Sequence, residues 1–101
     1  MNTGETKMTT HNQAKEVANR LRLMAKANLI KASITVKKSS WSSEVIVRIL
    51  EGKWARVELF KRFADQYQIK ERLVDNGVYE DFNINTSIPQ VRYLWIREEW
   101  A

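Results

Sequence analysis

Ala14, Val17, Leu21, Met24 and Ala25 recur at intervals of three and four, the spacing that collects apolar side chains on one helical face and predicts a helix over residues 13–27. Lys15, Asn19, Arg22 and Lys26 fall on the other face. Thr10 and Gln13 have the spacing of a capping box, which starts a helix by pairing its orphan amides. Leu23, Leu29 and Ile30 fall off the apolar stripe, so the helix is expected to stop near Asn28. The period then changes to two. Ala32, Ile34 and Val36 alternate with Ser33, Thr35 and Lys37, and residues 44–50 are rich in β-branched and apolar side chains; both segments read as strands. The linker Ser39-Ser40-Trp41-Ser42-Ser43 is short and polar, which suits a hairpin loop and an antiparallel pair.

After Glu51-Gly52 two patterns overlap. Residues 53–59 alternate as a strand would, whereas Val57, Phe60, Phe63, Ala64 and Tyr67 share one helical face. A helix from about Trp54 is favoured, because no turn signal separates Leu59 from Phe60. The register changes at Gln68, and a short helical piece or kink is expected to end at Asp75-Asn76-Gly77, with Gly77 as a left-handed cap. Residues 78–89 are loop-like. Val91, Tyr93 and Trp95 alternate with Leu94 and Ile96, and apolar residues on both sides predict a last strand well inside the sheet, with Trp95 in the core. The expectation is an α+β fold: one small domain over residues 13–101, in the order α-β-β-α-β. About three antiparallel strands are packed by two helices, preceded by a flexible polar arm, residues 1–12.

The chain of 101 residues fits one domain, large enough to bury roughly two thirds of its unfolded surface. It has no cysteine, which excludes disulfides, thiolate nucleophiles and cysteine-ligated metals and fits a reducing, cytoplasmic location. The start of the chain is polar, with no secretory signal, and no apolar run is long enough for a membrane span. Lysine and arginine total 17 against 12 acidic residues. Residues 1–62 carry 13 basic and 5 acidic side chains, a net of +8, while residues 63–101 carry 4 and 7, a net of −3. That asymmetry favours an anionic partner at one end of the molecule. Solubility alone explains a basic surface about equally well.

The segment ITVKKSSWSSEVIVRILEG, followed by a helix ending in FKRFADQY, resembles the small domains associated with large polyvalent proteins of phages and conjugative elements. Those join a basic–serine strand, a serine- or glycine-rich hairpin and a second strand ending in an Asp-Gly-type turn before a helix; Glu51-Gly52 stands at that turn here. This hairpin has no glycine, no proline follows the turn, and the tail from Gly77 has no counterpart. The resemblance implies a mobile-element accessory protein and no particular chemistry.

Catalytic groups are scarce. His11 is the sole histidine and falls in the expected arm, where it has no dry pocket and no partner. Ser33, Ser39, Ser40, Ser42, Ser43 and Ser87 lie outside any nucleophile-elbow motif and read as loop residues. Asp75, Glu80 and Asp81 do not match a calcium-loop spacing, and three scattered glycines cannot cradle a phosphate. No enzyme activity, metal or cofactor is expected.

Binding is what remains. Lys37, Lys38 and Trp41 near one hairpin tip, with Arg48 on the paired strand, suit phosphates and a stacked base; Lys15, Arg22 and Lys26 add a basic helical stripe. The plainer alternative folds Trp41 back on the sheet and leaves the lysines merely solvated. The partner expected is nucleic acid or a nucleoprotein complex, although the RNP and KH signatures are missing. Two alternatives use protein contact: an inhibitor of a host defence system, of anti-CRISPR or anti-restriction type, and a homodimeric structural subunit. Trp95 and Trp100 are the candidate interface residues for these, since tryptophan is enriched at binding hot spots.

Overall fold

Helix α1, Thr10–Ala27, buries Ala14, Val17, Ala18, Leu21 and Ala25. Three of these five are alanines, which lets the helix lie close on the sheet beneath it. The computed structural model describes residues 10–38 and 42–99. Because α1 begins at Thr10, the expected arm over residues 1–12 shortens, and its remainder, like the side chain of the expected Thr10 cap, lies outside the described residues. The helix ends as expected, by a tight reversal. Leu29 takes a left-handed φ of 58°, its N–H donates to Lys26 O, and Ile30 N–H donates back to Ala25 O at 2.9 Å, a Schellman-type closure.

The chain then doubles back beneath α1. Strand β1, Lys31–Lys38, pairs antiparallel with β2, Ser43–Glu51. Helix α2, Trp54–Ala64, begins where the sequence predicts and buries Val57, Phe60 and Ala64; a 3₁₀ turn, Asp65–Tyr67, extends it. Gly52 just before it keeps the approach close: a Cβ there would stand 3.1 Å from Val57 Cγ2 and 3.2 Å from Ile30 Cγ1, so those side chains would have to give way slightly. The fold is α+β, with three differences from expectation.

First, the last strand, β5 (Tyr93–Glu98), joins β2 in parallel, so the sheet β1-β2-β5 is mixed. The long crossover through α2 returns the chain to the end of the sheet from which β2 set out, and parallel pairing requires such a connection. Second, β5 lies at the edge of that sheet rather than inside it, and Trp95 is half exposed instead of core. Both helices contribute to one apolar cluster with Ile34, Val45, Val47, Ile49 and Leu94. The alternate positions, Trp95 among them, therefore face the side that neither helix covers. Third, the segment expected as helical piece and loop forms a hairpin of β3 (Lys70–Leu73) and β4 (Tyr79–Phe82). Gly77 does adopt the left-handed conformation, φ 75°, but in the hairpin turn, where its N–H donates to Val74 O and Val74 N–H donates to Val78 O.

Gln90 ties this second half together. Although polar it is buried, and its amide group donates to Gln66 O and Asn83 O, both at 2.7 Å, and accepts from Asn85 N–H at 2.8 Å. Its own N–H donates to Gln13 Oε1 on α1 at 3.2 Å. Both donors of the side chain and its oxygen have partners, which offsets the usual cost of placing an amide inside.

Candidate functional site

Antiparallel travel of α1 over β1 sets one helical stripe along one strand. At the far end His11 Nδ1 lies 3.2 Å from Ser43 Oγ, beside the Lys38–Ser43 pair of the hairpin. Midway, Arg22 reaches down to the sheet: its guanidinium donates to Ile34 O at 2.8 Å and to Asn19 Oδ1 at 2.7 Å. Lys15, Asn19 and Arg22 on the helix and Val36 on the strand line a shallow groove between the two elements. Lys26 continues the stripe one turn beyond Arg22, and Lys38 follows Val36 on the same side of β1. Strand β1 has no neighbour on its outer side among the described strands, so the groove opens along a sheet edge.

The distribution of ion pairs sharpens this surface. Arg20 pairs with Glu16, Arg48 with Glu99, Lys61 with Glu58 and Glu98, Lys70 with Asp65, Arg72 with Glu80, and Arg92 with Glu71 and Asp81. Among the described residues no carboxylate pairs with Lys15, Arg22, Lys26, Lys37 or Lys38. All the acids of the second half but Asp75 pair with that half's own cations or with Arg48 and Lys61. Among the described residues those five cations on α1 and β1 keep their charge unpaired, as do Lys31, Lys53, Arg56, Arg62 and Arg97 elsewhere on the surface, whereas Arg20 on α1 is paired.

The expected site residues therefore separate into three sets. Lys15, Arg22, Lys26 and Lys38 come together at the α1–β1 edge. Lys37 points to the opposite side of β1, onto the face of the sheet left bare of helices. Arg48 shares that face, but both its Nε and its Nη2 donate to Glu99 Oε1, at 3.0 and 2.7 Å. This contact holds the Glu99 carboxyl below its ordinary range and the Arg48 guanidinium above its own, so Arg48 is not an unengaged anion ligand. Trp41 and Trp100 lie outside the described residues.

Trp95 stands on the bare face at 50% exposure with Tyr93 beside it at 43%. Its indole N–H donates to Glu44 Oε1 at 2.7 Å, which fixes the ring across the β2–β5 pair. The sequence pattern puts Trp95 in the core and names it for a protein interface, and it does not single out Tyr93 or Arg97. Their common parity with Trp95 was the available signal, hidden because Val91, Leu94 and Ile96 made the strand look apolar on both faces.

His11 and Ser43 have the form of a base and a nucleophile, a pairing that the expected arm over residues 1–12 does not predict. Ser43 is only 3% exposed, and no carboxylate hydrogen-bonds His11 among the described residues, so no third group orients the imidazole. The contact reads as a helix-to-sheet tie. No cluster of metal-ligating side chains is present among the described residues, and no helix there is long and apolar enough to cross a membrane. Compared with protein-family models, curated proteins and solved structures, the chain matches none.

Proposed function

We propose that the protein is a non-enzymatic binding module that docks on nucleic acid, free or within a nucleoprotein complex, through the α1–β1 edge. The observation carrying this reading is the row of cations without acidic partners among the described residues, Lys15 and Arg22 lining the groove and Lys26 and Lys38 continuing it on α1 and β1, beside the open edge of β1. Such a row matches a polyanion whose charges repeat along its length, and releases counterions on contact. The accessory role in a mobile element implied by the sequence resemblance is compatible with this and stays part of the proposal.

The affinity for DNA or RNA is expected to fall roughly 50- to 150-fold between about 50 and 200 mM salt, as for about four phosphates neutralised. The double substitution Lys15→Glu with Lys38→Glu removes binding while leaving the thermal melt near that of the wild type. Fluorescence anisotropy with labelled oligonucleotides measures both. Salt-independent binding, or none to any DNA or RNA, overturns the reading.

A second reading, a protein-contact inhibitor of a host defence complex, draws on apolar side chains elsewhere: Leu59 and Phe63 one turn apart on α2, and Leu73 and Tyr79 on the hairpin, are all exposed. Purifying the tagged protein from host lysate with and without nuclease separates the two. A stoichiometric partner that survives nuclease favours the inhibitor, and loss of every partner favours nucleic acid.

A further inference from the structure

The bare face of the sheet is ordered by chemistry. Register places Lys37, Glu44 and Tyr93 in one row across the three strands, Thr35, Ile46 and Trp95 in the next, and Ser33, Arg48 and Arg97 in the third. Two exposed aromatics two residues apart on β5 stand about 7 Å from each other along the strand. Cations sit at the borders, Lys37 on β1 and Arg97 on β5; neither makes an ion pair among the described residues, although Arg97 is near enough to Glu99 to help hold its carboxyl low. Two acids share the face: Glu44, on the middle strand, holds the Trp95 indole, and Glu99 is taken up by Arg48.

We infer that this face is a stacking platform for single-stranded nucleic acid, with Trp95 and Tyr93 each receiving one unpaired base and Lys37 and Arg97 meeting the flanking phosphates. The inference rests on the nucleic-acid reading above and narrows it to the single strand. Stacking needs an exposed ring face and a base with a face of its own to offer, which a duplex withholds and a single strand supplies. Central negative charge keeps phosphates away from the aromatics, and the border cations draw them outward. That polarity orients the strand bases-inward. Charge also argues against the other occupants. The centre of a protein interface is depleted of charged residues, whereas here Lys37, Glu44, Arg48 and Arg97 interleave with the rings. A second copy would bring the same border cations to the contact.

The test compares a labelled single-stranded oligonucleotide with the duplex of the same sequence, by anisotropy and by tryptophan quenching. The wild type is expected to prefer the single strand. Trp95→Ala weakens single-strand binding roughly 5- to 150-fold and leaves duplex binding unchanged. Trp95→Phe keeps a stacking ring and most of the affinity, while the quenching assigned to this tryptophan disappears. Circular dichroism on both variants establishes that the fold persists, and the phenylalanine variant keeps the test decisive if the alanine variant unfolds. Wild-type affinity in both Trp95 variants with unchanged quenching, or a preference for duplex, overturns the platform. If Lys15→Glu with Lys38→Glu abolishes binding while Trp95→Ala does nothing, the platform alone falls. If the wild type binds neither oligonucleotide, the edge reading falls as well.

Discussion

Leu29 shows how a single residue can be correctly placed by the sequence and wrongly equipped for its conformation. A Schellman closure needs a left-handed residue after the helix, and glycine is the usual choice because a Cβ meets the next carbonyl there. Leu29 occupies it at φ 58° while its side chain is 79% exposed, so little packing offsets the strain. Replacing it loses almost no contact and relieves the backbone, against a somewhat larger entropy loss for glycine on folding. Leu29→Gly is therefore expected to stabilise the protein by about 1 kcal/mol, a rise in melting temperature of about 4–8 °C for a domain of this size. A calorimetric melt at or below the wild-type temperature would show that Leu29 makes a contact worth keeping. The helix end was legible because the apolar stripe runs out at Asn28; the strained cap was not, since no residue type there announces it.

At the scale of elements, legibility followed the strength of the hydrophobic period. α1, β1, β2 and α2 have periodic apolar faces and fall where the pattern puts them. β3 and β4 do not: KERL and YEDF contain no β-branched residue, and their hairpin depends on partners far along the chain. Arg92 supplies them, with Nη1 and Nη2 donating to the two oxygens of Asp81 on β4 at 2.9 and 2.8 Å and Nη1 to Glu71 on β3 at 3.2 Å. No local reading of residues 68–82 could contain that clamp. The hydrogen bond from Arg92 holds the Asp81 carboxyl below its ordinary range. A carboxylate depressed in the folded state stabilises above its unfolded pKa and loses that contribution as pH falls through the folded value. The hairpin should therefore hold at neutral pH and loosen below about pH 4, before the core melts. Arg92→Ala is expected to produce the same loosening at pH 7, read as faster amide exchange over residues 70–82 with the global melt little changed, because half-exposed ion pairs add little to overall stability. Unchanged exchange in the variant would mean that the bridge across Gln68 and Val91 is sufficient by itself.

For the whole molecule, the excess of positive charge in the first 62 residues was readable in the sequence, but its division between two surfaces was not. Lys37 and Lys38 are neighbours in the chain and face opposite sides of β1, a consequence of the strand period that matters only once α1 is known to cover one side. The same charges bear on self-association. An uncovered edge strand of eight residues is a template for pairing with another chain, and lysines are a common means of preventing it. Two copies of β1 laid antiparallel would bring Lys31 of one near Lys37 and Lys38 of the other, and Arg22 already donates to the Ile34 carbonyl on that strand. The wild type is accordingly expected to sediment as a monomer even at high concentration and low salt. Lys37→Thr and Lys38→Thr combined with Arg22→Ala keep β-propensity while removing both the repulsion and the donor, so this variant should show a heavier, concentration-dependent species. A wild-type dimer would instead favour the homodimeric-subunit alternative and would have to leave Trp95 uncovered for the base platform to survive, which the quenching experiment on the dimer reads directly.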